Sequence, residues 1–311
     1  MEGPITDSVK EIDKDTWRIG GPILHRSMGP SHRSTWYDRM DGFSYFITDA
    51  PVPPPPSMPL RANNSTIKLV YDAGKNSAVW SIGNDAFCKV KTRIVGTTPE
   101  ATTIAFVHAK NPNFEIPRVL YQAEQGDRSY LFLSRVPGRT LAAAWPSLNE
   151  TWRQRYIHTV VSVCESLQLL ESDKLSGVDG KNMPEMYLIA DGAKEDFSPG
   201  NLQRGCELVG MDCSTFVFYH TDLGPGNIIV EHEPQSGNIG IIDWETAGFF
   251  PRGWIRTKFR VSSGLNLPSS ATDEPRWWRS EIQKLLGVRG FDDFCEEWFS
   301  WWEGPTPEEL S

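Results

Sequence analysis

The spacing of apolar residues changes twice along this chain, and those changes limit what it can fold into. From Ser65 the segments STIKLVYDA, SAVWSIG and AFCKVKT read as short strands, separated by the turn formers GKN and GND. Strands joined by such short turns can only run antiparallel. TPEATTIAFVHAK then takes helical spacing, with Thr98 as the expected N-cap, Pro99 at the first helical position and Glu100 in the first turn. IPRVLYQAE and RSYLFLSRV return to the strand pattern, and Pro137 with Gly138 end it. Five strands and one helix thus make a small lobe over 64–136.

Beyond that break the chain turns helical. LNETWRQRYIHTVVSVCESLQLLES places Ile157, Val160, Val161 and Cys164 on one helix face. Residues 171 to 200 are rich in Gly, Asp, Lys and Pro and read as a long loop. FVFYHTDLGPGNIIVEHEPQSGNIGIIDWETAG then reads as two or three short strands around turns. The expected fold class is α+β in two lobes, a small antiparallel sheet with one helix and a larger, mainly helical lobe over 137–311. A chain of 311 residues is long enough to give each lobe its own core.

Residues 1 to 63 read as an irregular extension. DAPVPPPPSMPL, Asp49 to Leu60, carries a proline run that removes backbone donors and fixes φ, which excludes helix and central strand there. A semi-rigid strap is the reading, with a ligand for an SH3-type module as the rarer alternative.

Composition narrows the classes of function. Acids outnumber bases 40 to 31, for a formal net charge of -9, which argues against a nucleic-acid partner and suits cationic ones. The five cysteines are scattered without a C-x-x-C pair, so they read as reduced, packing residues. The start, Met-Glu-Gly-Pro, lacks the order of a secretory signal, and no apolar stretch approaches the ~18 residues of a membrane span. A cytoplasmic protein with no membrane partner is expected.

HTDLGPGNIIV, His220 to Val230, carries the chemistry. It fits H-x-D-L-x-x-x-N, the catalytic-loop spacing of protein kinases, through His220, Asp222, Leu223 and Asn227. Downstream, GIIDWE puts Asp243 after an apolar strand, where a metal-binding aspartate would follow such a loop. Moving a phosphoryl group from ATP requires neutralising the triphosphate, which carboxylate and amide oxygens do by holding magnesium. Asn227 and Asp243 suit that task. Asp222 suits the other requirement, orienting an acceptor hydroxyl and taking its proton. His220 reads as support for the loop backbone.

With these motifs in order, the chain resembles the aminoglycoside phosphotransferase and choline kinase family, which has a protein-kinase-like fold, and within it a fungal branch of phosphotransferase enzymes. AVWSIGNDAFCKVK, TPEATTIAFV, VPGRTLAAAW, HTDLGPGNIIV and GIIDWETAGFFPRGW carry the resemblance, over roughly residues 65 to 260. It implies an ATP- and magnesium-dependent small-molecule kinase with Asp222 as catalytic aspartate and Asn227 and Asp243 as metal ligands. The lysine that contacts the ATP phosphates is Lys89 or Lys91, which share one strand face. The family pattern favours Lys89, with Glu100 holding it, and makes Ser134 to Val136 the segment against which adenine lies. Departures are the single glycine in DAGKNSAVW and Thr221 where the family commonly has glycine.

The implied acceptor is an amine or amino sugar. In the tail, Phe291, Phe294, Trp298, Trp301 and Trp302 stand at helical spacing opposite Asp292, Asp293, Glu296 and Glu297. Such a stripe usually belongs to a core, but beside an acceptor site it would attract an ammonium group. A non-catalytic nucleotide-binding descendant, or a kinase fold turned to another reaction in a biosynthetic pathway, are the alternative readings.

Overall fold

Strands dominate the first 95 residues. The computed structural model describes residues 3–190, 195–269, 271 and 273–304, and the chain divides into two units, Met1–Val95 with Pro117–Arg135 and Gly96–Ile116 with Val136–Ser311.

The first unit contains two antiparallel sheets. One is built from β1 (Val9–Asp13), β2 (Thr16–Ile19), β3 (Pro22–Met28), β4 (Trp36–Asp38), β5 (Phe43–Asp49) and β6 (Met58–Pro59), in the order β4-β5-β3-β2-β1-β6. The other is built from β7 (Ile67–Asp72), β8 (Ser77–Ile82), β9 (Ala86–Thr92), β10 (Val119–Gln125) and β11 (Arg128–Ser134), in the order β10-β11-β9-β8-β7. Trp17, Ile19 and Tyr45 of the first sheet and Trp80, Ile82, Val90 and Phe132 of the second form one buried cluster. Burying such side chains is the main favourable contribution to holding two sheets together. Gly20, at φ +63°, lies directly under the Tyr130 ring, where a Cβ would come within 2.3 Å of it.

The five strands expected after Ser65 are present. The reading of residues 1–63 as irregular is corrected: they supply a complete six-stranded sheet. Two features hid it. Glu11 faces inward at 2% exposure, breaking the apolar alternation of β1, and is satisfied by the Arg61 guanidinium 50 residues later. Strands β3 and β5 pair from Pro22↔Asp49 to Met28↔Phe43 across the short β4, a non-local pairing with no local signature. The proline run stands outside this sheet as exposed chain, with Val52 98% exposed, and only Met58–Pro59 pairs, with β1.

The second unit holds α1 (Glu100–Ala109), β12 (Arg139–Thr140), α2 (Leu141–Ala144), α3 (Glu150–Leu167), β13 (Glu171–Ser172), α4 (Pro199–Leu208), β14 (Phe216–His220), β15 (Ile228–Val230), β16 (Ile239–Ile241), β17 (Ala247–Pro251), α5 (Arg252–Val261), α6 (Trp277–Val288) and α7 (Cys295–Glu303). Two small antiparallel sheets, β12-β15-β16 and β13-β14-β17, sit among its helices. Helix α3 starts where Asn149 accepts a hydrogen bond from the Trp152 amide at 3.0 Å, and buries Ile157, Val160, Val161 and Cys164 as its spacing requires. Within the 171–200 segment, residues 191–194 lie outside the described residues.

Helix α1 differs from expectation in two respects. Its N-cap is Pro99, so it begins at Glu100, and Thr98 instead donates its hydroxyl to Asp179 Oδ1 at 2.6 Å. It also groups with the second unit and not with the strands that flank it in sequence. The Thr98 amide bonds Asn182 O at 3.1 Å, the Asn182 amide bonds Gly96 O at 3.1 Å, and Gly177 packs so tightly on Thr98 that a Cβ would overlap its hydroxyl.

Candidate active site

Strand β14, buried along its length between β13 and β17, delivers His220 to the loop 221–227. His220 is fully buried, its Nε2 is 3.0 Å from Ile242 O, and its ring meets the Trp244 ring edge-on at 4.8 Å. The Thr221 hydroxyl donates to Thr246 O at 3.1 Å, and the Ile242 amide donates to Asn227 O at 3.0 Å. Residues 242–246 therefore hold both ends of the loop. His220 has the supporting role read from the sequence, and Thr221, unusual in the resemblance, has a structural reason.

Inside the loop Asn227 Nδ2 donates to Asp222 Oδ2 at 2.7 Å and to the Asp222 carbonyl at 2.9 Å. These bonds fix the Asp222 carboxylate and leave Oδ1 as the atom of Asn227 that can ligate a cation. Burial pushes the Asp222 carboxyl above the ordinary aspartate range, and the charge of Asp243 adds to this, while His220, Lys258 and the Asn227 hydrogen bond pull it back. Burial holds the His220 imidazole below its ordinary value.

Asp243 has left-handed backbone, φ 65° and ψ 60°, a conformation that costs a non-glycine residue roughly 1–2 kcal/mol. The next residue offsets that cost. Trp244 is fully buried, donates Nε1 to Ile241 O at 3.0 Å, and its amide donates to Glu100 Oε1 at 3.1 Å. One carboxylate oxygen from each of Glu100, Asp243 and Glu245 lies within 4.8 Å of the others. Three half-buried carboxylates gathered in this way fit a hard, oxygen-seeking cation such as magnesium.

Among the residues predicted from sequence, the structure brings Asp222 and Asn227 into contact and sets Glu100 beside Asp243. Lys89 and Lys91 are both half-buried, on one face of β9 in the first unit. Ser134 ends β11, where its amide donates to Arg118 O at 2.9 Å and its hydroxyl accepts from the Arg118 amide at 2.9 Å. Val136 is buried and belongs to the second unit, packed against Gly240, where a Cβ would come within 2.3 Å of Val136 Cγ1.

Sequence reasoning missed two features. Glu245 follows Asp243 by two residues, and the DWE string was its only signal. The other is a buried ion pair: Lys258 Nζ, from α5, lies 2.8 Å from both oxygens of Glu185, at 5% and 2% exposure. The Lys258 ammonium also stands 4.0 Å from the Tyr187 ring centroid. Nothing in IRTKFRV marks this lysine as internal.

The tail is only partly as expected. Helix α7 begins at Cys295, so Phe291 and Phe294 precede it; Phe291 and Trp298 are buried, and Trp302 is 52% exposed and stacks on Trp298 at 5.0 Å. Asp293 is bound by Arg260 at 2.6 Å and Arg256 at 3.7 Å, and Glu296 reaches Arg260 at 3.3 Å. Much of the charge of the acidic face is thus balanced within the chain. Among the described residues the five cysteines are free, and no helix is long and apolar enough to cross a membrane.

The sequence matches no known family profile and no curated protein. The structure resembles solved aminoglycoside phosphotransferases. A streptomycin–ATP–APH(2″)-IIa ternary complex is 15% identical at a TM-score of 0.48, covering 79% of this chain and 88% of its own. APH(3″)-Id from Streptomyces rimosus is 16% identical at 0.47, covering 76% and 92%, and aminoglycoside-3′-phosphotransferase of type VIII is 19% identical at 0.43, covering 80% and 92%.

Proposed function

We propose that this protein is an ATP- and magnesium-dependent phosphotransferase that moves the γ-phosphoryl of ATP to a hydroxyl of a small molecule, an amine or amino sugar. One observation carries the reading: the 2.7 Å bond from Asn227 to Asp222, on a loop tied at both ends to the strand-and-turn that bears Asp243.

Asp222 accepts the acceptor hydroxyl, orients it, and takes its proton as the new O–P bond forms. Its raised pKa makes it a better proton acceptor than an ordinary aspartate. Asn227 Oδ1 and the Asp243 carboxylate would hold magnesium, with Glu245 beside Asp243 as a further oxygen donor. Magnesium, when bound, neutralises the triphosphate charge. Lys89 contacts the phosphates and the 134–136 backbone receives adenine. A net charge of -9 favours a cationic acceptor through the long-range field, since Asp293 and Glu296 already have arginine partners.

The test is titration of ATP with and without magnesium, followed by a product assay over amines and alcohols. Magnesium-dependent binding with phosphorylated product supports the reading. Binding without any product points to a nucleotide-binding descendant, and no binding overturns the reading.

A further inference from the structure

The sheet made by the first 60 residues reaches the chain beside Ser134 through one buried carboxylate. Asp38 ends β4 with no exposure to solvent. Its Oδ1 accepts from the amides of Met40 at 2.9 Å and Asp41 at 3.2 Å, which close its own turn. Its Oδ2 accepts from the backbone amide of Asn84 at 2.6 Å and from Asn84 Nδ2 at 3.2 Å. Asn84 lies at the tip of the β8–β9 turn. Gly83 before it sits at φ +55°, where a Cβ would come within 2.5 Å of Asp38 Oδ2, so the turn closes directly onto the carboxylate.

The same turn holds Arg135. Arg135 Nε donates to Asn84 O, its amide donates to Asp85 O at 2.7 Å, and its guanidinium lies 4.2 Å from the Phe87 ring centroid. A continuous set of hydrogen bonds therefore runs from Asp38 through Asn84 to Arg135. The far side of Asp38 is equally fixed, because Asp41 takes the Tyr45 hydroxyl at 2.8 Å and Tyr45 stacks on Trp36 at 4.8 Å.

We propose that Asp38 is a positioning residue for the nucleotide: by holding the 83–85 turn it sets Arg135, and with it the backbone of Ser134 to Val136 that receives adenine. This rests on the proposed function, in which that segment binds ATP. The sheet over residues 9–59 is then part of the support of the nucleotide site. A buried donor left without its acceptor carries its full desolvation cost, so losing one Asp38 oxygen loosens the turn without removing any group that touches ATP.

The experiment compares the parent with Asp38→Asn, Arg135→Met and the exchanged pair Asp38→Asn with Asn84→Asp, by calorimetric titration of ATP with magnesium and by steady-state kinetics. Asp38→Asn and Arg135→Met should each raise the ATP Kd and KM on the order of 10-fold, with kcat and acceptor KM held. The exchanged pair should recover only part of the ATP affinity, because it restores the side-chain contact between positions 38 and 84 while the backbone amides that bond the Asp38 carboxylate still meet one amide nitrogen. Arg135→Met leaves the sheet itself intact and keeps the test open should Asp38→Asn fold poorly. A parent that binds ATP, with both single variants binding it equally well, overturns this proposal alone. A fall in kcat at constant ATP KM also overturns it, since that is the signature of a smaller folded fraction. A parent that does not bind ATP overturns this proposal and the proposed function together.

Discussion

Asn227 Nδ2 lies 2.7 Å from Asp222 Oδ2, so the residue that would lend its oxygen to a cation also aims the carboxylate that would take the acceptor's proton. The two roles are coupled through one amide. Asn227→Ala should therefore reduce both magnesium affinity and turnover, by about 10- to 100-fold, the usual cost of removing a group that orients a ligand or a catalytic side chain. Magnesium titration of ATP binding and single-turnover kinetics measure the two effects; a loss confined to one of them contradicts the coupling.

The carboxylates of Glu100, Asp243 and Glu245 gather within 4.8 Å of one another, and the losses on removing Asp243 and Glu245 should be unequal. Asp243→Ala should weaken magnesium-dependent ATP binding more than Asn227→Ala, because a charged ligand contributes more than a neutral amide to holding a divalent cation. Glu245→Gln should produce a smaller loss of the same kind. Isothermal titration of magnesium into the ATP-loaded protein separates them, and a Glu245→Gln protein with unchanged magnesium affinity removes that residue from the donor set.

The sequence made some of this architecture legible and hid the rest for identifiable reasons. Strands β7 to β9 were readable because GKN and GND punctuate their pattern, and His220 to Asn227 because the H-x-D-L-x-x-x-N spacing lies within eight residues. Glu100 is held by the amide of Trp244, 144 residues away, and no local pattern reports such a contact. The first sheet was hidden because its inward Glu11 reads as a surface residue until Arg61 is seen beside it.

Lys258 and Glu185 form a buried ion pair, and their energetics are asymmetric. Lys258→Met should destabilise the protein by about 3–5 kcal/mol, because it strands a buried carboxylate. Lys258→Met with Glu185→Gln should recover much of that loss, since the neutral amide can still accept from the Trp254 indole, which now lies 3.4 Å from Glu185 Oε2. Denaturant unfolding measures both. Lys258 also lowers the Asp222 pKa, so its removal should move the acid limb of kcat/KM to higher pH; an acid limb that stays in place contradicts that link.

Arg61 hydrogen bonds hold the Glu11 carboxyl below its ordinary value, against the opposing effect of burial. A carboxyl whose folded pKa is depressed adds stability above the unfolded value, about 4.3, and that stability is lost as pH falls through the folded value. The parent should therefore lose stability below about pH 4.3 more steeply than Glu11→Gln, which should be the less stable of the two at neutral pH. Thermal unfolding across a pH series reads this directly, and parallel curves for the two proteins would exclude Glu11 as the source.

In the proposed reaction Asp222 receives a proton from an acceptor hydroxyl while ATP supplies the phosphoryl group. The most direct measurement is magnesium-dependent transfer of the terminal phosphoryl of ATP to a panel of amines, amino sugars and simple alcohols, run side by side with the parent and Asp222→Asn. The parent should form phosphorylated product with at least one hydroxyl-bearing amine, and Asp222→Asn should lose turnover on the order of 10²- to 10⁴-fold with ATP affinity nearly unchanged. An Asp222→Asn protein that turns over as fast as the parent would contradict it.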